Sequence, residues 1–250
     1  MNRRIFDSHF HIIDTRFPLV PNKGYLPPEF TAADYLGAVS DLGVTGGAVV
    51  SGSFQAFDQS YLIDALATLG PMFVGVANVA ETISDDELLR LREAGVRGVR
   101  FNLYRGGSAE IESVSSLGRR VWDVAGMHVE FYLDAKDLVE LEPVIAALPK
   151  VSIDHLGMTS KHRNVLLRLV SRGVRVKATG FGRVELDVAS AVREIHKQNP
   201  EALMFGTDLP STRARVPFQP QDVELVADIL AEDANLALYE NGARFYGLIP

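Results

Sequence analysis

Three histidines and one aspartate stand out by type and position. They lie in Asp7-Ser8-His9-Phe10-His11, in Val151-Ser152-Ile153-Asp154-His155 and in Phe205-Gly206-Thr207-Asp208-Leu209-Pro210. Each stretch is, or ends, a short apolar run that reads as a β-strand. His9 and His11 are two residues apart, a spacing that turns both imidazoles to one face of a strand. The same period predicts Ile5 and Asp7 on that face. It turns Asp154 away from His155, as a supporting or helix-facing partner. Imidazoles with a carboxylate can ligate a divalent metal. A carboxylate beside metal-bound or cationic imidazoles is also suited to take a proton from water. Each residue has a plainer reading as well. His9, His11 and His155 could be hydrogen-bonded structural histidines, and Asp208 could cap a helix that Pro210 helps to start.

A second set is basic. Arg100, Arg105 and Arg183 follow or sit within apolar runs, and the guanidinium fork matches a carboxylate. Together they suit a small anionic substrate, with surface salt bridging as the alternative. Tyr132, Ser51 and Ser53 could add hydroxyl donors. His128, His162 and His196 receive no role.

These residues need elements to position them. Strands are predicted over 4–11, 45–51, 72–79, 96–103, 128–133, 151–155, 174–179 and 203–207. Amphipathic helices are expected between them, starting near Thr31, Asp58, Ser84, Val114, Lys136, Lys161, Glu185 and Gln219. Thr31 with Asp34, and Ser84 with Glu87, have the spacing of capping boxes. Alternating strands and helices of this number close a (β/α)8 TIM barrel, and 250 residues suit one such domain over 1–250. An open doubly wound sheet is the rival, but no Gly-rich phosphate turn follows the first strand. In a barrel, chemistry sits at the C-terminal ends of the strands. His11, His155 and Asp208 fall at such ends, whereas His128 opens its strand.

Composition narrows the partners. The formal net charge of −7 argues against nucleic acid or an anionic membrane as a target. With no cysteine, thiolate catalysis, disulfides and cysteine zinc sites are excluded. No leader-like segment or long apolar span is evident, so a cytoplasmic location is expected. Oligomeric state is not set by these features.

The ordered set Asp-Ser-His-Phe-His, Ile-Asp-His-Leu-Gly and Phe-Gly-Thr-Asp-Leu-Pro resembles the amidohydrolase superfamily. The likeness is nearest to the amidohydrolase-2 branch, which contains 2-pyrone-4,6-dicarboxylate lactonase and related lactonases. Gly98-Val99-Arg100-Phe101-Asn102 and Asn241-Gly242-Ala243-Arg244-Phe245-Tyr246-Gly247 extend it over most of the chain. The resemblance implies a hydrolase that opens a carboxylated lactone. Asp208 would be the general base, and His9, His11 and His155 would polarise the carbonyl directly or through a metal. Arg100, Arg105 and Arg183, with Tyr132 and Ser51, would hold the substrate. The fourth and fifth strands lack the ligands of a binuclear centre, so the expectation is either no metal or one divalent ion, zinc first, on His9, His11 and Asp208. The alternatives are a zinc-dependent decarboxylase of the same superfamily or a non-catalytic binding barrel. The loop Ser211–Arg215 lacks the histidine often found there in relatives.

Overall fold

A computed structural model describes residues 3–106 and 113–250. Eight strands run in chain order: β1 (Ile5–Phe10), β2 (Val44–Val50), β3 (Phe73–Ala77), β4 (Val96–Asn102), β5 (His128–Tyr132), β6 (Val151–Ile153), β7 (Arg175–Ala178) and β8 (Leu203–Phe205). Each pairs in parallel with the next. Helices α1 (Ala32–Ala38), α2 (Ser60–Leu69), α3 (Asp85–Glu93), α4 (Val114–Ala125), α5 (Leu138–Ala147), α6 (Arg163–Ser171), α7 (Val188–Gln198) and α8 (Gln221–Leu230) each follow one strand. This is the expected (β/α)8 barrel, and strand ends depart from the predicted ones by at most two residues. Both capping boxes form: Thr31 and Asp34 bond reciprocally, as do Ser84 and Glu87.

The seam between β8 and β1 closes just past the strand ends. The Asp208 amide donates to the His9 carbonyl at 2.7 Å, and the His11 amide donates to the Leu209 carbonyl at 2.7 Å. The backbone that closes the barrel therefore also brings Asp208 to the two histidines.

The first strand corrects one expectation. Register shifts between Asp7 and Phe10, where three steps on β1 match two on β2. Such a bulge reverses the side-chain alternation across it. His9 and His11 do share the inner face, but Ile5 and Asp7 do not. Ile5 and Phe10 belong to the core between sheet and helices, while Phe6 packs with the interior residues Val50, Val76 and Met204. Asp7 turns outward and is buried there. It accepts hydrogen bonds from Tyr35 Oη at 3.0 Å, Thr207 Oγ1 at 2.7 Å and the Thr207 amide at 2.9 Å. Asp7 is thus a clamp joining β1, α1 and the end of β8. Tyr35→Phe removes one donor from this buried carboxylate and should destabilise the fold by about 1–3 kcal/mol. Urea unfolding measures this, and an unchanged midpoint would count against the clamp.

The barrel interior is divided. Phe6, Ala48, Val50, Val74, Val76 and Met204 form its apolar side. Arg100, Glu130, Asp154 and Lys177, from β4 to β7, are all buried and form the ionic side. Below them a helix that the strand–helix alternation did not announce, α9 (Asn241–Phe245), closes the bottom. It leads into Tyr246, whose ring lies 5.6 Å from Phe6 and 5.3 Å from His128. His128 therefore packs at the bottom, away from the strand ends. His162 is exposed, and His196 pairs with Asp233 at 3.0 Å. Among the described residues, no helix is long and apolar enough to cross a membrane.

Candidate active site

His9, His11, His155 and Asp208 converge at the C-terminal ends of the strands. The His9 ring lies 5.0 Å from His11 and 4.8 Å from His155. Nε2 of His9 and Nε2 of His11 are each 3.8 Å from Asp208 Oδ1. All four residues are buried. His155 reaches the group by leaving β6 in a left-handed conformation, φ 51°. That break lets Asp154 and His155 both face inward, so of the two expectations for Asp154 the structure replaces the helix-facing one and keeps the supporting one, 3.4 Å from His9 Nδ1. Asp208 too has a positive φ, 62°. A non-glycine residue is strained in this region, and such strain often marks a functional position.

Burial sets the charge states of the imidazoles. Desolvation lowers His9 to about 3 and takes His11 and His155 well below the ordinary histidine value. The three rings are therefore neutral near pH 7. The His11 Nδ1–H donates to the Val50 carbonyl at 2.7 Å, which leaves the Nε2 lone pair free. His155 turns Nδ1 to the Thr179 carbonyl at 3.4 Å in the same manner. His9 Nδ1 faces Asp154 Oδ1 at 3.4 Å. Second partners of this kind orient imidazole ligands in metal sites.

Asp208 divides its two oxygens. Oδ2 accepts from Arg183 Nε at 2.9 Å and also from Arg183 Nη2. Oδ1 faces the histidines and has no hydrogen-bond partner; nor has His9 Nε2. Buried polar atoms left unmatched are uncommon and point to an absent water, ion or ligand. Burial raises the Asp208 carboxyl above its usual value, against the pull of Arg183.

Beneath lies a network that sequence reasoning missed. Lys177 Nζ pairs with Glu130 Oε2 and is 3.7 Å from Asp154 Oδ1 and 3.4 Å from His9 Nδ1. Arg100 holds Asp154 Oδ2 through Nε at 3.1 Å and Nη2 at 2.7 Å. Burial would push Asp154 up, but His9, Arg100 and Lys177 hold it well below the carboxylate range. Burial lifts Glu130 to about 7. The signal was present: Lys177 and Glu130 interrupt apolar strands, where a charge needs a partner.

Above the imidazoles a small cavity opens, walled by His11, His155, Tyr132, Arg100, Arg105 and Arg183 among others. His9 and Asp208 stand just behind that wall. The predicted arginines are thus brought together, but two are already engaged: Arg100 by Asp154 and Arg183 by Asp208. Ser51 does not line the cavity. Its hydroxyl is 2.8 Å from Gln59 Oε1 and 2.7 Å from Tyr61 Oη, so the donor expected there is replaced by the neighbouring loop, where Ser53 reaches the wall. Tyr132 does line it, with its buried hydroxyl beside Arg183. A larger groove between α2 and α3, with Phe57, Ile63, Val79 and Ala80 in its wall, includes none of His9, His11, His155 and Asp208.

Among the described residues, two groups of side chains are close enough to hold a metal ion: His9, His11 and Asp208, and His9, Asp154 and His155. In the first, free lone pairs and an unmatched carboxylate oxygen face one point, so the residues fit a divalent cation. The groups share His9, which suits one ion rather than two.

The amidohydrolase family pattern matches residues 6–248. A 2-pyrone-4,6-dicarboxylate hydrolase of Comamonas testosteroni is 30% identical, with 96% of this chain and 89% of that protein covered. A 4-sulfomuconolactone hydrolase of Rhizobium radiobacter is 28% identical, with 98% and 90% covered. Among solved structures, a probable 2-pyrone-4,6-dicarboxylic acid hydrolase from Acinetobacter baumannii, with citric acid bound, superposes with a TM-score of 0.83 at 22% identity, covering 99% of this chain and 100% of that one. The near-complete family match, over a barrel whose strand ends gather His9, His11, His155 and Asp208, places the chain in the amidohydrolase family of hydrolases.

Proposed function

We propose that this protein hydrolyses a small carboxylated lactone. The observation that carries the reading is Asp208: one oxygen is held by Arg183 and the other is unmatched, facing neutral imidazoles under an arginine-lined cavity. The relatives that act on pyrone and muconolactone rings support the same substrate class.

The chemistry follows from the atoms. Asp208 Oδ1 accepts the proton of a water that attacks the lactone carbonyl. It then returns that proton to the ring oxygen as the C–O bond breaks. The Arg183 fork keeps the carboxylate oriented between the two transfers. Negative charge developing on the carbonyl oxygen needs donors, and the Tyr132 hydroxyl at the wall is one. The histidines do a different job. Neutral rings whose Nδ1–H is turned to a backbone carbonyl present lone pairs to the cavity and cannot donate to an oxyanion from Nε2. His9, His11 and Asp208 would instead hold one divalent ion, with zinc the best match to that donor set. Bound there, the ion supplies Lewis acidity to the carbonyl and acidity to water. Oδ1 has two lone pairs, so ligation through one leaves the other for the proton.

The test is turnover of 2-pyrone carboxylates, followed by ring absorbance, with metal analysis of the same preparation. We expect ring opening, close to one divalent ion per chain, and loss of activity in chelator that added zinc restores. Carboxylate loss as carbon dioxide, with the ring intact, would instead establish a decarboxylase. Full activity in metal-free protein would overturn the ion-holding role of the histidines and leave Tyr132 as the donor to the carbonyl oxygen.

A further inference from the structure

We infer that Arg213, in the loop after β8, is a specificity-determining residue that grips a carboxylate on the substrate at the mouth of the cavity, together with Arg105. The inference rests on the lactone reading above for the reaction, and on separate observations for the anion.

Four arginines line the cavity, but their charges are not equally available. Asp154 neutralises Arg100 and Asp208 neutralises Arg183. Among the described residues, Arg105 and Arg213 pair with no carboxylate. Both are half-buried, and the chain as a whole carries a net charge of −7. Burial and the nearby Arg105 charge both work against the Arg213 guanidinium. Two guanidiniums held together without a counter-ion cost free energy that an anion would recover.

Arg213 is also fixed in place. Its Nη1 donates to Asn22 Oδ1 at 3.2 Å and its Nη2 donates to the Asn22 carbonyl. The guanidinium stacks over Tyr25, 4.4 Å from the ring centroid. Both partners belong to the loop between β1 and α1. Arg215, two residues on, shows the contrast: it is exposed and pairs with Glu185 at 2.5 Å. The backbone at Arg213 has φ 59° and at Ser211 φ 62°. Loop conformation thus turns one arginine inward and leaves the other to solvent. Held before binding, the fork loses little freedom when it meets a ligand. A planar fork matches a planar carboxylate, so the substrate class is a lactone with a carboxylate remote from the bond being broken.

Benzene-1,3-dicarboxylate and benzoate are inert rings that report binding without turnover. In calorimetry the wild-type protein should bind the dicarboxylate at least about 30-fold more tightly than benzoate, since a desolvated charge pair is worth a factor of this order. In Arg213→Met that gap should fall to about threefold or less, and Arg213→Lys should recover part of it, because charge remains and the fork does not. Arg105→Met should narrow the gap as well. A gap that persists in a folded Arg213→Met protein overturns the assignment. Lactone turnover is measured in parallel. Binding that depends on Arg213 in a protein that opens no lactone would refute the reaction and leave the anion site standing. Ring opening with an unchanged KM in Arg213→Met would do the reverse.

Discussion

Asp208→Asn should lower kcat for lactone opening by about 10³-fold, while ligand affinity changes by a few-fold at most. The amide still accepts from the Arg183 fork, so the loop after β8 keeps its anchor. What it lacks is a basic lone pair at the position of Oδ1, which faces His9 and His11 at 3.8 Å. The general-base assignment is therefore separable from structural damage. Steady-state kinetics with a calorimetric binding check decides it, and turnover near the wild-type rate would remove Asp208 from the reaction. Asp208→Ala is the less informative change. It strands the buried Arg183 charge, and any loss of rate would mix with instability of about 3–5 kcal/mol.

The second large effect concerns stability. Lys177→Met should cost about 3–5 kcal/mol, because Glu130 and Asp154 would stay buried with Arg100 as their remaining cation. Urea unfolding at neutral pH measures the loss. Adding Glu130→Gln should recover a good part of it, since the double change removes one charge of each sign from the interior. A single variant as stable as the wild type would show that the network contributes little to the fold. Lys177→Met should also slow turnover, because Nζ is 3.4 Å from His9 Nδ1 and helps to place that ring.

The strands, the helices and the (β/α)8 order were legible in the chain because they depend on local period and end signals. Apolar runs, Thr31 with Asp34 and Ser84 with Glu87 mark elements wherever they occur. His11, His155 and Asp208 were legible as candidate site residues for a related reason: polar groups at strand ends stand out against apolar runs. The face each side chain takes was not legible throughout. The extra residue in β1 and the left-handed turn at His155 each break a period of two, and neither leaves a mark on residue types. They decided that Asp7 faces Tyr35 and that Asp154 faces His9.

Partner choice was likewise tertiary. Arg100, Arg105 and Arg183 were all read from the sequence as carboxylate receptors. In the barrel, Asp154 and Asp208 engage two of them, 54 and 25 residues away along the chain, while Arg213 enters from the last loop. Charge availability depends on neighbours brought together across the barrel, where a low dielectric strengthens their attraction. His9 and His11 followed the same rule. Their residue type and spacing placed them at the site, but only the packing that desolvates them and ties His11 Nδ1 to Val50 made them neutral, with lone pairs suited to hold an ion.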